Sequence, residues 1–500
     1  MALLGIDIGT SGCKATLADT DGRVLGQAYQ EYPLFSAQPG WQEIDPERVW
    51  LAVRTVISQV VAGQQHNPVR AISVSSFGEA VVAIDGGGQT LGPSMIYIDS
   101  RGREEAAEIK ALLGDDQILA IPGTPAEPMY SLGKICWLKK HRPEIYEKTW
   151  KFLLFADFIL YRLGAAPATD YSLAARTLAF DIRQKDWSDV MLAAAEIDRA
   201  KFGEPVQAGT PVGTIRPGIA LELGLPMDVM LVAGGHDQPC AALGAGVIRP
   251  GLAVDGMGTT ECITPAFAEP ILSKAMADNY FACVPHVIAG HYVTYAFTFT
   301  SGSILKWYRD SFGAALRAEA DQLGVNVYDL LIDRARSAPS SVLVLPHFAG
   351  AATPYMDTAA TGAIVGLTID TRPEDIVKGL LEGITFEIML NTERLATAGV
   401  PIREILAVGG LSRSASYLQL KASMMGKPVT TLEVAEAGTL GVIILAGTAC
   451  GVFGSIDQAV RQLVRRRQTF QPDPALHDFY QERFAQYKKL YPALRAIRTT

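Results

Sequence analysis

An α/β fold made of two similar domains is the class this 500-residue sequence predicts, on three observations. Strand-like apolar runs alternate with longer stretches of helical period. The chain opens on two apolar runs joined by a tight glycine turn, an antiparallel start rather than a β-α-β unit. A strand followed by Asp and then Gly-Thr occurs at Asp7–Ser11 and again at Asp255–Thr260, the mark of an internal duplication.

Taken in order, Leu3–Ile8 and Ala15–Ala18 read as strands, and Asp21-Gly22 is a favoured hairpin turn. Pro46–Val61 reads as a helix. Ala71–Val74 and Val81–Ile84 are strands, and Leu132–His141 a helix. Met230–Ala233, Leu252–Asp255, Val342–Leu345 and Ile405–Val408 follow as strands, and Glu374–Thr397 as a long helix. The domain boundary falls near residues 240–250, where Ala241–Val247 gives way to Arg249-Pro250-Gly251. The domains are therefore 1–245 and 246–500, each bringing one glycine-rich loop to a shared cleft.

Hydrophobic residues make up 49% and charged residues 19%, enough apolar material for two buried cores. The formal net charge is −8. No basic stripe exists to neutralise phosphates, so no nucleic-acid partner is expected. The one basic cluster, Arg465-Arg466-Arg467, reads as a solvated helix end. Cys13, Cys136, Cys240, Cys262, Cys283 and Cys450 are scattered without a CxxC pair, which suits free thiols in the cytoplasm. The N-terminus has no basic stretch and meets a charge at Asp7, so no secretory leader is expected. Gly438–Ile456 is free of charge and approaches membrane-spanning length. Its glycines and threonines point instead to a helix buried against a close neighbour, and no membrane partner is expected.

Four motifs carry chemistry. At Gly9, Thr10, Ser11 and Lys14, a turn after a strand can cradle phosphate oxygens with backbone N–H groups and hydroxyls. Asp7, at the strand end, can face a Mg²⁺ through water. Gly258, Thr259 and Thr260 repeat the loop, and two such loops are hard to explain as turns alone. Gly409 and Gly410, between a strand and a helix, allow a nucleotide base to lie flat against the backbone, with Ser414 beyond them. Val232-Ala-Gly-Gly-His-Asp-Gln238 sets His236, Asp237 and Gln238 at a strand tip. There Asp237 could accept a proton from a substrate hydroxyl, or simply cap a helix starting at Gln238. Neither GxGxxG nor GxxxxGK[ST] is present, which disfavours dinucleotide and P-loop enzymes.

Met129-Tyr-Ser-Leu-Gly-Lys-Ile-Cys-Trp-Leu-Lys-Lys-His141 matches the first signature of a known family at Met129, Ser131, Lys134, Ile135, Trp137, Leu138, Lys140 and His141. Gly362–Glu382 resembles the second, departing at Gly379, where Ala or Ser is usual. With Gly5–Lys14, these segments make the chain resemble the FGGY carbohydrate kinases of the xylulokinase and gluconate kinase branch. The resemblance implies two ribonuclease-H-like domains of the actin, hexokinase and Hsp70 ATPase type. It implies Mg²⁺ and ATP, transfer of the γ-phosphoryl to a primary hydroxyl, and a homodimer. It makes Asp237 the catalytic base and Asp7 the metal-facing carboxylate. Thr10, Lys14, Gly258 and Thr259 become phosphate ligands, and Gly410 and Ser414 adenosine ligands. Tyr97-Ile-Asp99-Ser-Arg101 resembles a Trp-x-Asp-x-Arg segment lining the sugar pocket. Ser75-Ser76-Phe77-Gly78-Glu79 stands where xylulokinases carry Met-His, and of the Arg-Glu of glycerol kinases only Glu79 has a counterpart; Phe77 and Glu79 are the candidate pocket residues of this segment. A pocket Glu79 would accept hydrogen bonds from substrate hydroxyls and disfavour an anionic acid such as gluconate. D-Xylulose or a related ketopentose is the nearest substrate, with a tetritol, pentitol or glycerol as the alternative. An Hsp70- or actin-like ATPase and an inactive sugar sensor are the rival classes. The Lys134-x-x-Trp137 signature argues against the first, and Asp7 with Asp237 against the second.

Overall fold

The computed structural model describes every residue except 65, 336, 434–435 and 499–500. In the first half, Ala2–Ile8 (β1), Gly12–Asp19 (β2), Val24–Glu31 (β3), Val69–Ser76 (β4), Pro211–Thr214 (β5) and Met230–His236 (β6) form one sheet in the order β5-β6-β4-β1-β2-β3. The meander β1-β2-β3 is antiparallel, turning at Gly22 with φ +82, whereas β4 joins β1 in parallel and β6 joins β4 in parallel. Pro46–Val61 (α1) starts where Asp45 accepts from the Glu47 N–H and proline takes the first position. Its Val49, Val53, Val56 and Ile57 bury against the sheet face that carries Leu4, Ile6 and Ile8. Ser131–His141 (α2) carries the signature residues, and Asp237–Gly244 (α3) leaves the tip of β6.

The second half repeats the plan. Leu252–Met257 (β7), Glu261–Phe267 (β8), Ala296–Thr298 (β9), Glu404–Val408 (β10), Val429–Leu432 (β11) and Arg466–Phe470 (β12) lie in a second sheet. On one side β8 pairs antiparallel with β7 and β9 antiparallel with β8, and on the other β10 and β11 extend the sheet in parallel. An antiparallel meander fused through its first strand to two parallel strands thus occurs twice, as the duplicated motif predicts. Gly302–Phe312 (α4), Pro373–Thr397 (α5), Ala415–Met425 (α6) and Ala437–Ala449 (α7) complete the layers used below.

Helix α7 does not stay with its own sheet. Its Val442, Ile443, Ile444 and Leu445 bury with Leu3, Ala71 and Val232 of the first sheet, each worth about 1.5–3 kcal/mol when fully buried. Its approach to α3 requires glycine on both sides: a Cβ at Gly441 would lie 1.9 Å from the Cys240 carbonyl, and one at Gly244 1.9 Å from the Ala437 carbonyl. The uncharged segment is therefore the buried helix expected, and no described helix is long and apolar enough to cross a membrane. The basic cluster departs from expectation. The preceding helix ends at Leu463, and Arg466 and Arg467 belong to the edge strand β12. Arg466 pairs with Glu404 at 2.6 Å. All six cysteines are free.

Candidate active site

The turn from β1 to β2 is closed by the Gly9 N–H donating to the Gly12 carbonyl at 2.9 Å. Tyr32 braces it from outside, its hydroxyl donating to the Gly9 carbonyl at 2.6 Å. Thr10 is half-buried and Ser11 exposed at the turn. Asp7 lies opposite Lys14 on β2 and Ser75 on β4. Its Oδ1 accepts from the Ser75 hydroxyl at 2.6 Å. Burial holds the Asp7 carboxyl above the usual range, while Ser75 and Lys14 pull it back. Lys14 reaches Glu436, at the entry to α7, at 2.8 Å.

The second turn is closed by the Gly258 N–H donating to the Thr260 carbonyl at 2.9 Å. The start of α4 fastens it: Gly302 N–H donates to the Gly258 carbonyl at 2.9 Å and Ser301 N–H to the Thr259 carbonyl at 3.0 Å. Gly409 has φ +95, and a Cβ there would lie 2.5 Å from the Met257 carbonyl, so the loop after β10 can rest on this turn only as glycine. Ser414 caps α6, accepting from the Tyr417 N–H at 3.3 Å. These parts enclose a cavity of ≈ 350 Å³ with Gly258, Thr259, Gly410 and Ser414 in its wall. A second cavity of ≈ 700 Å³ lies along Gly409 and Gly410 and includes Arg413, Glu433 and Arg467.

Near the end of β6, the pairing with β4 shifts register between Val232 and Gly235. Asp237 is the first residue of α3, and His236 occupies the cap position, so Asp237 is not the cap of a helix starting at Gln238. The Asp237 side chain keeps 31% of its surface open, and its Oδ1 lies 3.1 Å from His236 Nε2. Desolvation, then Asp7 and Glu79, push its carboxyl up to about 8, and Arg176 opposes them. His236 is buried, its Nδ1 3.1 Å from the Tyr295 hydroxyl. Burial, then Arg176, holds its ring well below the usual histidine range, so it is neutral. Gln238 is exposed on the first turn of α3.

Glu79 is no solvated turn residue. It has φ +67, is 4% exposed, and accepts from Arg176 Nε at 2.6 Å. Arg176 is itself buried, its guanidinium 4.9 Å from the centre of the Tyr130 ring and 5.9 Å from that of Tyr295. The expectation that Glu79 repels an anionic acid loses its basis, because Arg176 neutralises it. Tyr97 is 41% exposed. Its hydroxyl feels burial, Glu79 and Asp237 together. Asp99 and Arg101 are spent on each other: the carboxylate takes Arg101 Nε at 2.9 Å and the Gln42 N–H at 2.7 Å. Arg101 also pairs with Glu43 at 2.7 Å and stacks 3.8 Å from the Trp41 ring centre. The two brace the Tyr97 segment rather than offering free polar groups. Phe77 is 5% exposed, with its ring 5.0 Å from that of Phe155, and belongs to the apolar core.

Residues 2–244 match the model of the FGGY carbohydrate kinase N-terminal domain, and residues 256–450 that of the C-terminal domain. The chain belongs to the FGGY family of carbohydrate kinases. It is a phosphotransferase that uses ATP and acts on an alcohol group. It is 26% identical over 502 residues to a xylulose kinase of Bacillus subtilis (strain 168), covering 99% of this chain and 98% of that one. A gluconokinase of the same organism is 29% identical, covering 91% of this chain and 89% of its own. The solved structure of a xyloylose kinase from Brucella ovis superposes with a TM-score of 0.86 at 27% identity, covering 99% of this chain and all of that one.

Gly379, the departure from the second FGGY signature, has a packing reason. A Cβ there would lie 2.7 Å from Val342 Cγ2, so even alanine would push α5 off its neighbour. Seven side chains of this FGGY kinase went unseen in the sequence. Arg176, Tyr130 and Tyr295 meet beside Glu79 from three distant segments; Tyr130 lies within the first signature segment but is not one of its matched positions, and no local pattern marks the other two. Lys306, Tyr328 and Asp329 line the ≈ 350 Å³ cavity alongside Asn326. A signal did exist at Asn326, which caps the helix Val327–Asp333 by accepting from the Tyr328 N–H at 2.8 Å.

Proposed function

We propose that this FGGY kinase transfers the γ-phosphoryl of Mg-ATP to a primary hydroxyl of a small sugar or polyol, D-xylulose or a related ketopentose foremost. The observation that carries the reading is Asp237. It is set at a strand–helix junction beside a buried Glu79–Arg176 pair, and its carboxyl is held near neutrality. Such a group is poised to orient a hydroxyl and take its proton late in the transfer. The loops at 9–11 and 258–260 hold the phosphates, with Lys14 adding charge. Gly409, Gly410 and Ser414 hold the adenosine, in the cavity that Gly410 and Ser414 line. Tyr97, His236 and Gln238 border the sugar, Phe77 floors it, and Asp99 with Arg101 fix its rim.

Asp7 fits a Mg²⁺ arriving with the nucleotide: it offers a hard oxygen, since Ser75 binds only Oδ1 and no hydrogen bond reaches Oδ2 among the described residues. When bound, the ion neutralises charge on the phosphate oxygens. The resemblance further supports a homodimer, and the scattered free cysteines a place in the cytoplasm. Tetritols, pentitols and glycerol are the second reading, because the Glu79–Arg176 pair offers an acceptor and donors to neighbouring hydroxyls.

An ADP-release screen with Mg-ATP against ketopentoses, tetritols, pentitols, glycerol and gluconate tests the reading. A strong signal with one neutral substrate supports it. Turnover with gluconate alone would overturn the neutral-substrate reading.

A further inference from the structure

Beneath the second turn lies a group of charges that the reaction described above does not use. Asp255 on β7, Glu261 on β8 and Lys421 on α6 have side chains with 0% exposure, and the Lys421 ammonium contacts both carboxylates. Lys421 stays charged, because both carboxylates hold its pKa up against the cost of burial. The other oxygen of Glu261 accepts from the Ser301 hydroxyl at 2.7 Å. Ser301 in turn donates its N–H to the Thr259 carbonyl at 3.0 Å.

One ammonium therefore ties three walls of the ≈ 350 Å³ cavity. Asp255 and Glu261 flank the turn 258–260. Ser301 begins α4, which brings Ser303 and Lys306 to the cavity. Lys421 anchors α6, whose leading residues Arg413 and Ser414 line it. A buried ion cluster contributes little net stability, since desolvation cancels most of the attraction, but it tolerates only one arrangement of its members. We infer that Lys421, through Asp255 and Glu261, is a positioning residue for nucleotide: it sets the second phosphate turn relative to α4 and α6. The inference rests on the reading of the 258–260 turn as a nucleotide loop.

ADP binding followed by titration calorimetry on the full chain tests it without knowledge of the sugar. The triple variant Asp255→Asn/Glu261→Gln/Lys421→Met removes the charges while keeping side-chain size. The expected result is a melting temperature at or above that of the unaltered protein, with ADP affinity reduced about tenfold. With the sugar found by the screen, KM for ATP rises by a similar factor and KM for the sugar stays within twofold. A triple variant that binds ADP as well as the unaltered protein overturns the clamp. Should the triple variant not fold, Ser301→Ala removes only the link from Glu261 to α4. About threefold weaker ADP binding supports the clamp there, and unchanged binding overturns it. An unaltered protein that binds no ADP overturns the nucleotide reading itself, and the clamp with it.

Discussion

In the hairpin β1–β2 two steps separate Asp7 from Gly9, whereas in β7–β8 three separate Asp255 from Gly258. Side chains alternate faces along a strand, so that single extra step turns the second Asp to the opposite face. Asp7 shares its face with Lys14 across the hairpin and with Gly5 and Leu3 along the strand, the face covered by α7. In the second hairpin the corresponding place belongs to Gly256, opposite Cys262. Burial, then Asp255 and Asp237, push the Cys262 thiol up to about 12. Asp255 looks the other way, into its own domain, and is matched there by Lys421. The repeated motif has a glycine-closed turn in both copies, four residues long in the first and three in the second, while its carboxylate lies at the cleft in one and in a buried ion cluster in the other.

Five substitutions break or sharpen this contrast. The largest concerns the carboxylate that the first domain alone supplies. Asp237→Asn should lower kcat by about 10³-fold while ADP binding stays within twofold, by steady-state kinetics and calorimetry. Wild-type-like turnover would remove Asp237 from the chemistry. Next, Asp7→Asn should cost about 10²-fold in kcat with little change in melting temperature. Asp255→Asn should leave kcat at saturating ATP within about threefold and act on melting temperature and ATP KM instead. If the two variants behave alike, the contrast between the hairpins fails.

Gly256→Asp restores a carboxylate to the cleft face of the second hairpin. The nearest atom to a Cβ there is the Cys262 carbonyl oxygen at 3.7 Å, so the side chain has room. The added charge should raise KM for ATP roughly tenfold by repulsion, leaving KM for the sugar unchanged. A wild-type ATP KM would mean that this face does not meet the nucleotide.

The smallest effect is on pH. With the Asp237 carboxyl pushed up to about 8, kcat/KM for the sugar should climb from pH 6 to 8. Glu79→Gln removes a neighbouring negative charge and leaves Arg176 free, so the limb should move down by less than about one unit. Stability follows the opposite course. An acid whose folded pKa is raised holds more protons in the native state than in the unfolded one. Its favourable share is therefore present below about pH 4 and is lost as pH rises through 8. Asp237→Asn should flatten that decline in a series of thermal melts. A limb that does not move in Glu79→Gln would detach Glu79 from Asp237.

The sequence by itself determined the elements and the loops. Alternating or helical apolar spacing, Asp45-Pro46 before α1, Asp21-Gly22 between strands and the glycines at 9, 258 and 409 all act within a few residues, where backbone sterics and local hydrogen bonds decide the outcome. Asp237 was legible for the same reason, since two glycines put it at a strand tip. Tertiary structure alone decided what those residues meet. Arg176 lies far along the chain from Glu79 and turns a lone carboxylate into a neutral pair. Helix α7 leaves its own domain to cover the sheet of the other, and Arg466 and Arg467 become an edge strand. Which face of β7 carries Asp255, and that Lys421 waits for it there, followed only from the packed sheet. Contacts between distant segments are chosen by the burial of whole surfaces, which no short stretch of sequence encodes.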